Sequence, residues 1–414
     1  MNLALLHNRN FALLWLAQII SKFGDVFYNV AIMVTVFEQT GSALQTAGVM
    51  VATALPSFLL GPAAGVLVDR FSRRHVMLAT DLMRASLLAV LLVLVVNNQL
   101  SVWGIYLIVA GLSAASTFFE PARLAIVPSV VPQEELVQAN SLVMTTNQAV
   151  LALGYALGGT LILLIGFEAM IVLDLASFLV AVLAVALIQI PGWATSQGPL
   201  AQRMALHQAV ADGLRYLRSH TLARPLIIME IMEHFPHAIW TSALMLVFTR
   251  EALGAGSAVW GWQNAIFYGG QMAGATLAAV MAMRLARRPG WAIVGNAFLF
   301  SLLTIAYALS PSVAFTLVLC FCFGPTSAMR DVAQDSLLQA SVDSHVMGRL
   351  YATRNMFANL AFMLAGIGFA WLADQVDVRW VYGIGGLLYL ATAIFAFSST
   401  AIRSSRIGEV PSSA

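Results

Sequence analysis

Four polar side chains interrupt the first apolar stretch of this chain: Gln18, Lys22, Asp25 and Asn29. Their steps of 4, 3 and 4 put all four on one face of a helix. Lys22 is the only lysine in the chain, and Asp25, three positions on, can neutralise it. Asp25 is a candidate proton carrier and the stripe a candidate cavity lining; the alternative is a structural ion pair between helices. A second stretch carries Glu230, Glu233, His234 and His237. Glu230, Glu233 and His237 share a face, and His234, offset from it, lies four residues from Glu230. Two carboxylates close together in a low dielectric resist carrying two charges at once, and imidazole exchanges protons readily. Proton exchange or substrate contact is therefore one reading of this cluster. A structural role near a helix end is a second. Ligation of a divalent ion is a third, although the spacing is not His-Glu-x-x-His and no metal is assigned.

The residues around these stripes set the solvent. The chain is 60% hydrophobic and 10% charged, where a soluble protein carries about 25% charged residues. The surplus apolar surface calls for a bilayer. At roughly 20 apolar residues per crossing, twelve spans fit, at about 11–37, 43–68, 76–96, 101–121, 138–165, 169–190, 225–249, 257–283, 290–310, 313–333, 350–373 and 379–402. The expected fold class is an all-α membrane protein with twelve transmembrane helices in two pseudo-symmetric six-helix bundles. Residues 1–190 form the first bundle and 191–224 a cytoplasmic linker, amphipathic at 207–217. Residues 225–403 form the second bundle and 404–414 a tail. No signal peptide is expected, because the first apolar stretch is too long for one. Cys320 and Cys322 read as small buried hydrophobes, since i and i+2 side chains do not face each other on a helix. Zinc-finger, phosphate-loop and nucleic-acid-arm patterns are missing, and no catalytic constellation stands at an interface. Neither an enzyme, a cofactor nor a nucleic-acid partner is expected.

A charged hairpin, Gly65-Val66-Leu67-Val68-Asp69-Arg70-Phe71-Ser72-Arg73-Arg74, joins the second and third spans. A worn copy, Met283-Arg284-Leu285-Ala286-Arg287-Arg288, joins the eighth and ninth, so Arg70, Arg73 and Arg74 map onto Arg284, Arg287 and Arg288. A hairpin repeated once per half points to a carrier built from two related halves. With both termini in the cytoplasm, only Arg250 and Arg379 of the 21 basic residues fall outside, and Lys22, Arg84 and Arg354 fall within spans. The other sixteen lie on the inner side, as the positive-inside rule requires.

The hairpin resembles the loop 2–3 signature of the major facilitator superfamily, with Ser72 where glycine is usual. Gly154, Gly158 and Gly159 in span 5 resemble the glycine-rich motif of its drug antiporters, without the usual proline. Gly61-Pro62, Pro121-Ala122, Asn140, Asp174 with Ser177-Phe178, and Gly348-Arg349 resemble the branch that contains macrolide-efflux proteins and the enterobactin exporter. The resemblance implies two six-helix bundles around a central cavity that opens alternately to either side. It implies a monomeric efflux transporter of the cytoplasmic (inner) membrane for a small amphipathic compound, drug- or siderophore-like, driven by proton antiport. A lipid or metal-ion carrier on the same scaffold, or a non-transporting membrane receptor, is the alternative. In the gate motif, Gly61 and Gly65, four apart, would let a neighbouring helix approach. Asp69 would face the positive end of another helix. Arg70, Arg73 and Arg74 would pair with cytoplasmic carboxylates or anionic lipid. Met283 stands at Asp69's place in the second copy, which makes a latch there weaker.

Further pairs follow from spacing. Asp81 and Arg84, three apart, suit a structural ion pair. Glu120 and Arg123 suit a gate contact or a topology anchor. Asp174 suits helix packing, and Arg354 can pair with Asp331 or Asp335.

Overall fold

The structure, a computed structural model, describes residues 3–131, 135–189, 215–218, 220–281, 288–342 and 344–405. The expected surface helix at 207–217 lies outside these residues except for its last positions, and so do Met283–Arg287 of the second hairpin and the tail beyond 405. Regular structure among the described residues is helical throughout. The chain divides into two compact units, Met1–Gln202 and Arg203–Ala414.

The first unit holds α1 (Arg9–Thr40), α2 (Ala43–Arg70), α3 (Arg73–Val96), α4 (Val102–Val130) and α5 (Leu136–Leu187). Small polar residues start several of them. The Asn8 side chain accepts from the Asn10 and Phe11 amides, Ser42 from Gln45 and Ser101 from Gly104, which satisfies amides that have no partner inside the helix. Gly41 ends α1 in the left-handed region, φ 62°, a conformation that a Cβ disfavours. α5 runs 52 residues and turns at Gly166, where φ is 78° and ψ 175°. Its two arms are the fifth and sixth spans, so the first unit carries six crossings.

The second unit opens with a broken span. α6 (Ala223–His237) stops, a 3-10 turn covers Ala238–Trp240, and α7 (Ser242–Val247) runs into a π-turn at Phe248–Ala252. A continuous helix over 225–249 was expected; the chain breaks there for local reasons. Pro236 removes a backbone donor near the end of α6. Thr241 then takes extended backbone, φ −60° and ψ 149°, and its hydroxyl caps α7 at the Leu244 amide. The Ile239 carbonyl accepts from the Tyr382 hydroxyl at 2.9 Å, as a broken helix at membrane depth demands. The unit continues with α8 (Ser257–Val280), α9 (Pro289–Ala308), α10 (Val313–Ser341), α11 (Ser344–Ala373), α12 (Val378–Ser398) and the short α13 (Thr400–Arg403).

Nine helices among the described residues are long and apolar enough to cross a membrane, one of them the 43-residue stretch Thr145–Leu187. Its turn at Gly166, the broken α6–α7 and α8 supply the remaining crossings of a twelve-span fold. Large apolar side chains point outward, among them Phe58, Trp103, Leu107, Leu164 and Trp380, an apolar exterior that suits lipid rather than water. The two units repeat one another. α1 packs on the first arm of α5 as α6 packs on α11, α2 on α4 as α8 on α10, and α3 on the second arm of α5 as α9 on α12. Equivalent apolar cores follow: Phe11, Leu14, Met77, Ile126 and Val185 in one unit, and Leu226, Met229, Ile293, Leu337 and Ala396 in the other.

α4 and α10 run nine and eight residues past the expected ends at 121 and 333, to Val130 and Ser341. This extension carries Arg123 and places Arg330 more than two turns before a helix end. Both were expected on the loop side of the membrane.

Candidate functional site

Each unit encloses a polar cavity. In the first, about 60 Å³ is lined by Gln18, Lys22 and Asp25 of α1 together with Arg84, Glu120 and Arg123. Three of the four stripe residues therefore meet at one wall. Asn29 does not: it is exposed, and its amide turns back to the Asp25 carbonyl at 2.7 Å. No direct ion pair joins Lys22 and Asp25 among the described residues, although the lysine's charge acts on the carboxylate. Both instead face a cavity that carries three further charges. Arg123 donates to Gln18 Oε1 at 3.3 Å and to Glu120 at 2.8 Å. Arg84 pairs with Asp81, Nη2 to Oδ1 2.6 Å, with both side chains buried. Its guanidinium also lies 4.2 Å from the centre of the Phe119 ring and 4.7 Å from that of Phe178. Asp174 is buried and accepts from the Ser177 hydroxyl at 3.2 Å.

The second cavity holds about 450 Å³. α6 brings Glu230, Glu233, His234 and His237 to it, all four residues of the expected cluster. α10 brings Arg330, Asp331, Gln334 and Asp335, and α11 brings Arg354. Glu230 is held on both oxygens: Arg354 Nε donates to Oε1 at 2.6 Å, and Gln334 Nε2 to Oε2 at 3.0 Å. Arg354 also donates to Asp335 at 2.9 Å, so of the two acids expected for it the structure selects Asp335 and adds Glu230. Glu233 lies 3.3 Å from Arg330, which also grips Asp331 at 2.7 Å. The two glutamates thus have separate guanidinium partners. His234 Nδ1 donates to the Glu230 carbonyl at 2.8 Å, and His237 Nδ1 is hydrogen-bonded to the Tyr389 hydroxyl at 3.0 Å.

Arg330 and Gln334 were missed as site residues. Ser327, Arg330, Asp331, Gln334 and Asp335 follow helical spacing, a stripe that becomes visible only once α10 is known to continue beyond 333. Among the described residues no three His, Cys, Asp or Glu side chains are arranged to hold a metal ion.

A second, more apolar pocket of about 160 Å³ adjoins this cavity through His237, Phe267 and Tyr268. Trp240, Phe300, Phe323 and Cys320 complete much of its wall. The broken span makes this pocket: the 3-10 turn sets Trp240 among Phe323, Tyr307 and Tyr382, with ring centres 4.4, 5.0 and 5.2 Å away. Cys320 and Cys322 are free thiols.

The family profile MFS_3, described as transmembrane secretion effector, matches residues 1–413. The chain belongs to the major facilitator superfamily. This facilitator is 26% identical over 407 residues to the uncharacterised MFS-type transporter YjbB of Bacillus subtilis, covering 95% of this chain and 96% of that protein. It is 24% identical to macrolide efflux protein A of Streptococcus pyogenes, over 93% of this chain and 94% of that one. The solved structure of the nucleoside transporter NupG superposes with a TM-score of 0.75 at 12% identity, over 96% of this chain and all of that one. That likeness is one of fold. A multi-pass membrane transporter follows, and not an enzyme.

In the facilitator's signature loop, the side chains of Asp69 and Arg70 lie outside the described ones. Arg74 reaches the end of α5. Its Nε reaches the Val185 carbonyl at 3.3 Å and its Nη2 the Ala186 carbonyl. It therefore caps the last turn of α5, where a cation is favoured by the helix dipole. Among the described residues, nothing lies within 4 Å of where a Cβ on Gly61 would stand. The span-5 glycines do pack closely. A Cβ on Gly154 would come within 2.8 Å of Val26, and one on Gly158 within 3.2 Å of Val30. Gly159 is buried beside them. Arg288 of the second copy is exposed just before α9, and Arg284 and Arg287 lie outside the described residues.

Proposed function

We propose that this facilitator is a secondary active exporter of the cytoplasmic (inner) membrane. It moves a small amphipathic compound, drug- or siderophore-like, outward by alternating access in exchange for protons. The observation that carries the reading is the cavity of the second unit, where carboxylates and arginines border an aromatic pocket. Ionisable groups this deep in a membrane protein mark ion and substrate pathways. A carboxylate that trades its arginine for a proton, and back, couples proton flow to a rearrangement of its helix. Glu233, held by one arginine through one oxygen, suits that exchange better than Glu230, held on both. Asp25 is the corresponding acid of the first unit. Outward direction is supported by the efflux relative, and the arginine distribution supports cytoplasmic termini. The transporter works as a monomer, and Asp69, with Arg70, Arg73 and Arg74, belongs to the cytoplasmic gate.

The test is accumulation of a drug and metabolite panel in cells stripped of their own pumps, with and without a protonophore. Wild type lowers accumulation of at least one compound, and the protonophore restores it. Asp25→Asn and Glu233→Gln, expressed to the same level, accumulate as empty cells do. Export indifferent to the proton gradient would reject proton coupling, and accumulation unchanged by the wild-type protein across the panel would reject export.

A further inference from the structure

His220 fixes the chain just before α6. Its Nδ1 accepts from the Leu222 and Ala223 amides at 3.3 and 3.0 Å. Its Nε2 donates at 2.9 Å to the carbonyl of Ser341, the last residue of α10. Asn8 does the same work in the first unit. It caps the Asn10 and Phe11 amides and donates at 2.6 Å to the carbonyl of Val130, the last residue of α4. The two residues are equivalent by position, so their neighbours can be compared. Two before and four after Asn8 stand Leu6 and Ala12; at the same offsets from His220 stand Arg218 and Arg224. The fold does not require this pair of charges, since its own repeat builds the same junction without them.

Arg218 and Arg224 rim a groove of about 340 Å³ walled by Ile227, Ile228 and Ile231 of α6 and Phe357 of α11. Arg224, Ile227, Ile228 and Ile231 follow the spacing of one helix face. Charge therefore stands at the start of α6, and an apolar wall runs about 10 Å inward from it. Both arginines are exposed, and no carboxylate of the described residues pairs with either guanidinium. Arg330 and Arg354 of the same unit, by contrast, each hold two acids. The rim is fixed in place: Tyr216 and Leu217 pack on the core of Ile227, Leu338, Val342 and Leu350, and the Tyr216 and His220 ring centres are 5.3 Å apart.

We propose that this groove holds one anionic phospholipid of the bilayer. Its phosphate sits between Arg218 and Arg224, and an acyl chain lies along the three isoleucines against Phe357. Cation at the helix end and hydrocarbon beyond it is the order of a lipid leaflet beside a spanning helix. Two guanidiniums without an acid match a headgroup of net negative charge better than a zwitterionic one, whose own cation answers its phosphate. The described residues of the groove line neither the polar cavity nor the aromatic pocket, so the site stands whatever the cargo is.

The experiment titrates the purified full-length protein, in detergent, with phosphatidylglycerol and with phosphatidylcholine of identical chains. Bound lipid is counted by native mass spectrometry. Phosphatidylglycerol should bind about twentyfold tighter, about fivefold for each arginine. Arg218→Gln and Arg224→Gln should each cost about fivefold of that preference and leave phosphatidylcholine unchanged. Arg288→Gln, which removes an equal exposed charge before α9, should cost nothing. Glycerophosphoglycerol, the headgroup without chains, should not displace the lipid. Phosphatidylglycerol with a diazirine on its acyl chain should label peptides that contain residues 224–231 or Phe357. Equal affinity for the two lipids, no bound lipid, displacement by the chainless headgroup, or labelling confined to other segments overturns the proposal, and none of these needs a variant to fold. A loss in Arg288→Gln as large as in Arg224→Gln also overturns it, since basic surface in general would then account for the binding.

Discussion

Arg354 and Glu230 meet across 124 positions of sequence, Nε to Oε1 2.6 Å, and tie α11 to α6 inside the second unit. The pair fixes one end of the carboxylate row, while Glu233, one turn on, is buried and meets Arg330 through one oxygen. Within a span such a pair is held by partners rather than by water, so its removal has unequal consequences for the two residues.

Arg354→Ala leaves Glu230 and Asp335 without their shared cation. Losing one partner of a buried pair costs about 3–5 kcal/mol, which should show as a large fall in the thermal stability of the purified protein. Adding Glu230→Gln to Arg354→Ala should recover part of the loss, because the orphaned charge is gone. A double variant no more stable than the single would mean that the pair contributes nothing specific.

Arg84 combines a short ion pair to Asp81 with two ring faces, Phe119 and Phe178. Arg84→Lys keeps the charge but not the flat, stacking guanidinium. Stability should fall by about 1 kcal/mol, the scale of a desolvated cation–π contact. Arg84→Ala should fall further, since it also strands the Asp81 carboxylate. Equal losses from the two would show that stacking, and not charge, dominates.

The two glycine positions give opposite expectations. Gly154→Leu must displace Val26, against which even a Cβ would stand at 2.8 Å, and should reduce folded yield sharply. Gly61→Ala enters open space and should hold or raise stability, by up to about 1 kcal/mol from helix propensity. Fluorescence-detected size-exclusion of both variants decides this; a Gly61→Ala protein that fails to fold would show that a neighbour needs that face after all.

Arg379 gathers three backbone carbonyls, Ala308 and Ala252 at 2.9 Å and Ser310 at 2.8 Å. It thereby closes the end of α9 onto the π-turn that finishes the broken span. Arg379→Gln should lower stability by about 1–3 kcal/mol, the range for stranded polar groups. Transport per folded molecule should hold, because Arg379 lines neither polar cavity nor the aromatic pocket. A loss of transport at full stability would assign Arg379 a role in gating.

Much of the site was legible one helix at a time. The 0, 3, 7 spacing of Glu230, Glu233 and His237 placed them on a common face, and that face does line a cavity. Asn29 hydrogen-bonds its own helix outside the first unit's cavity, while Lys22 and Asp25 both line that cavity without a direct ion pair among the described residues. Arg330 went unrecognised because the hydrophobic run thins before it. α10 nevertheless continues, its polar stripe covered by α6 and α11 rather than by lipid.

By itself the sequence determined the membrane environment, the twelve crossings and the twofold repeat, because hydropathy and helical period are properties of short segments and a bilayer admits few other structures. Tertiary structure alone decided which arginine serves which glutamate, and where the seventh span breaks to build an aromatic pocket. Those outcomes depend on side chains brought together from positions about 100 residues apart, and spacing along one helix carries no information about what another helix will set against it.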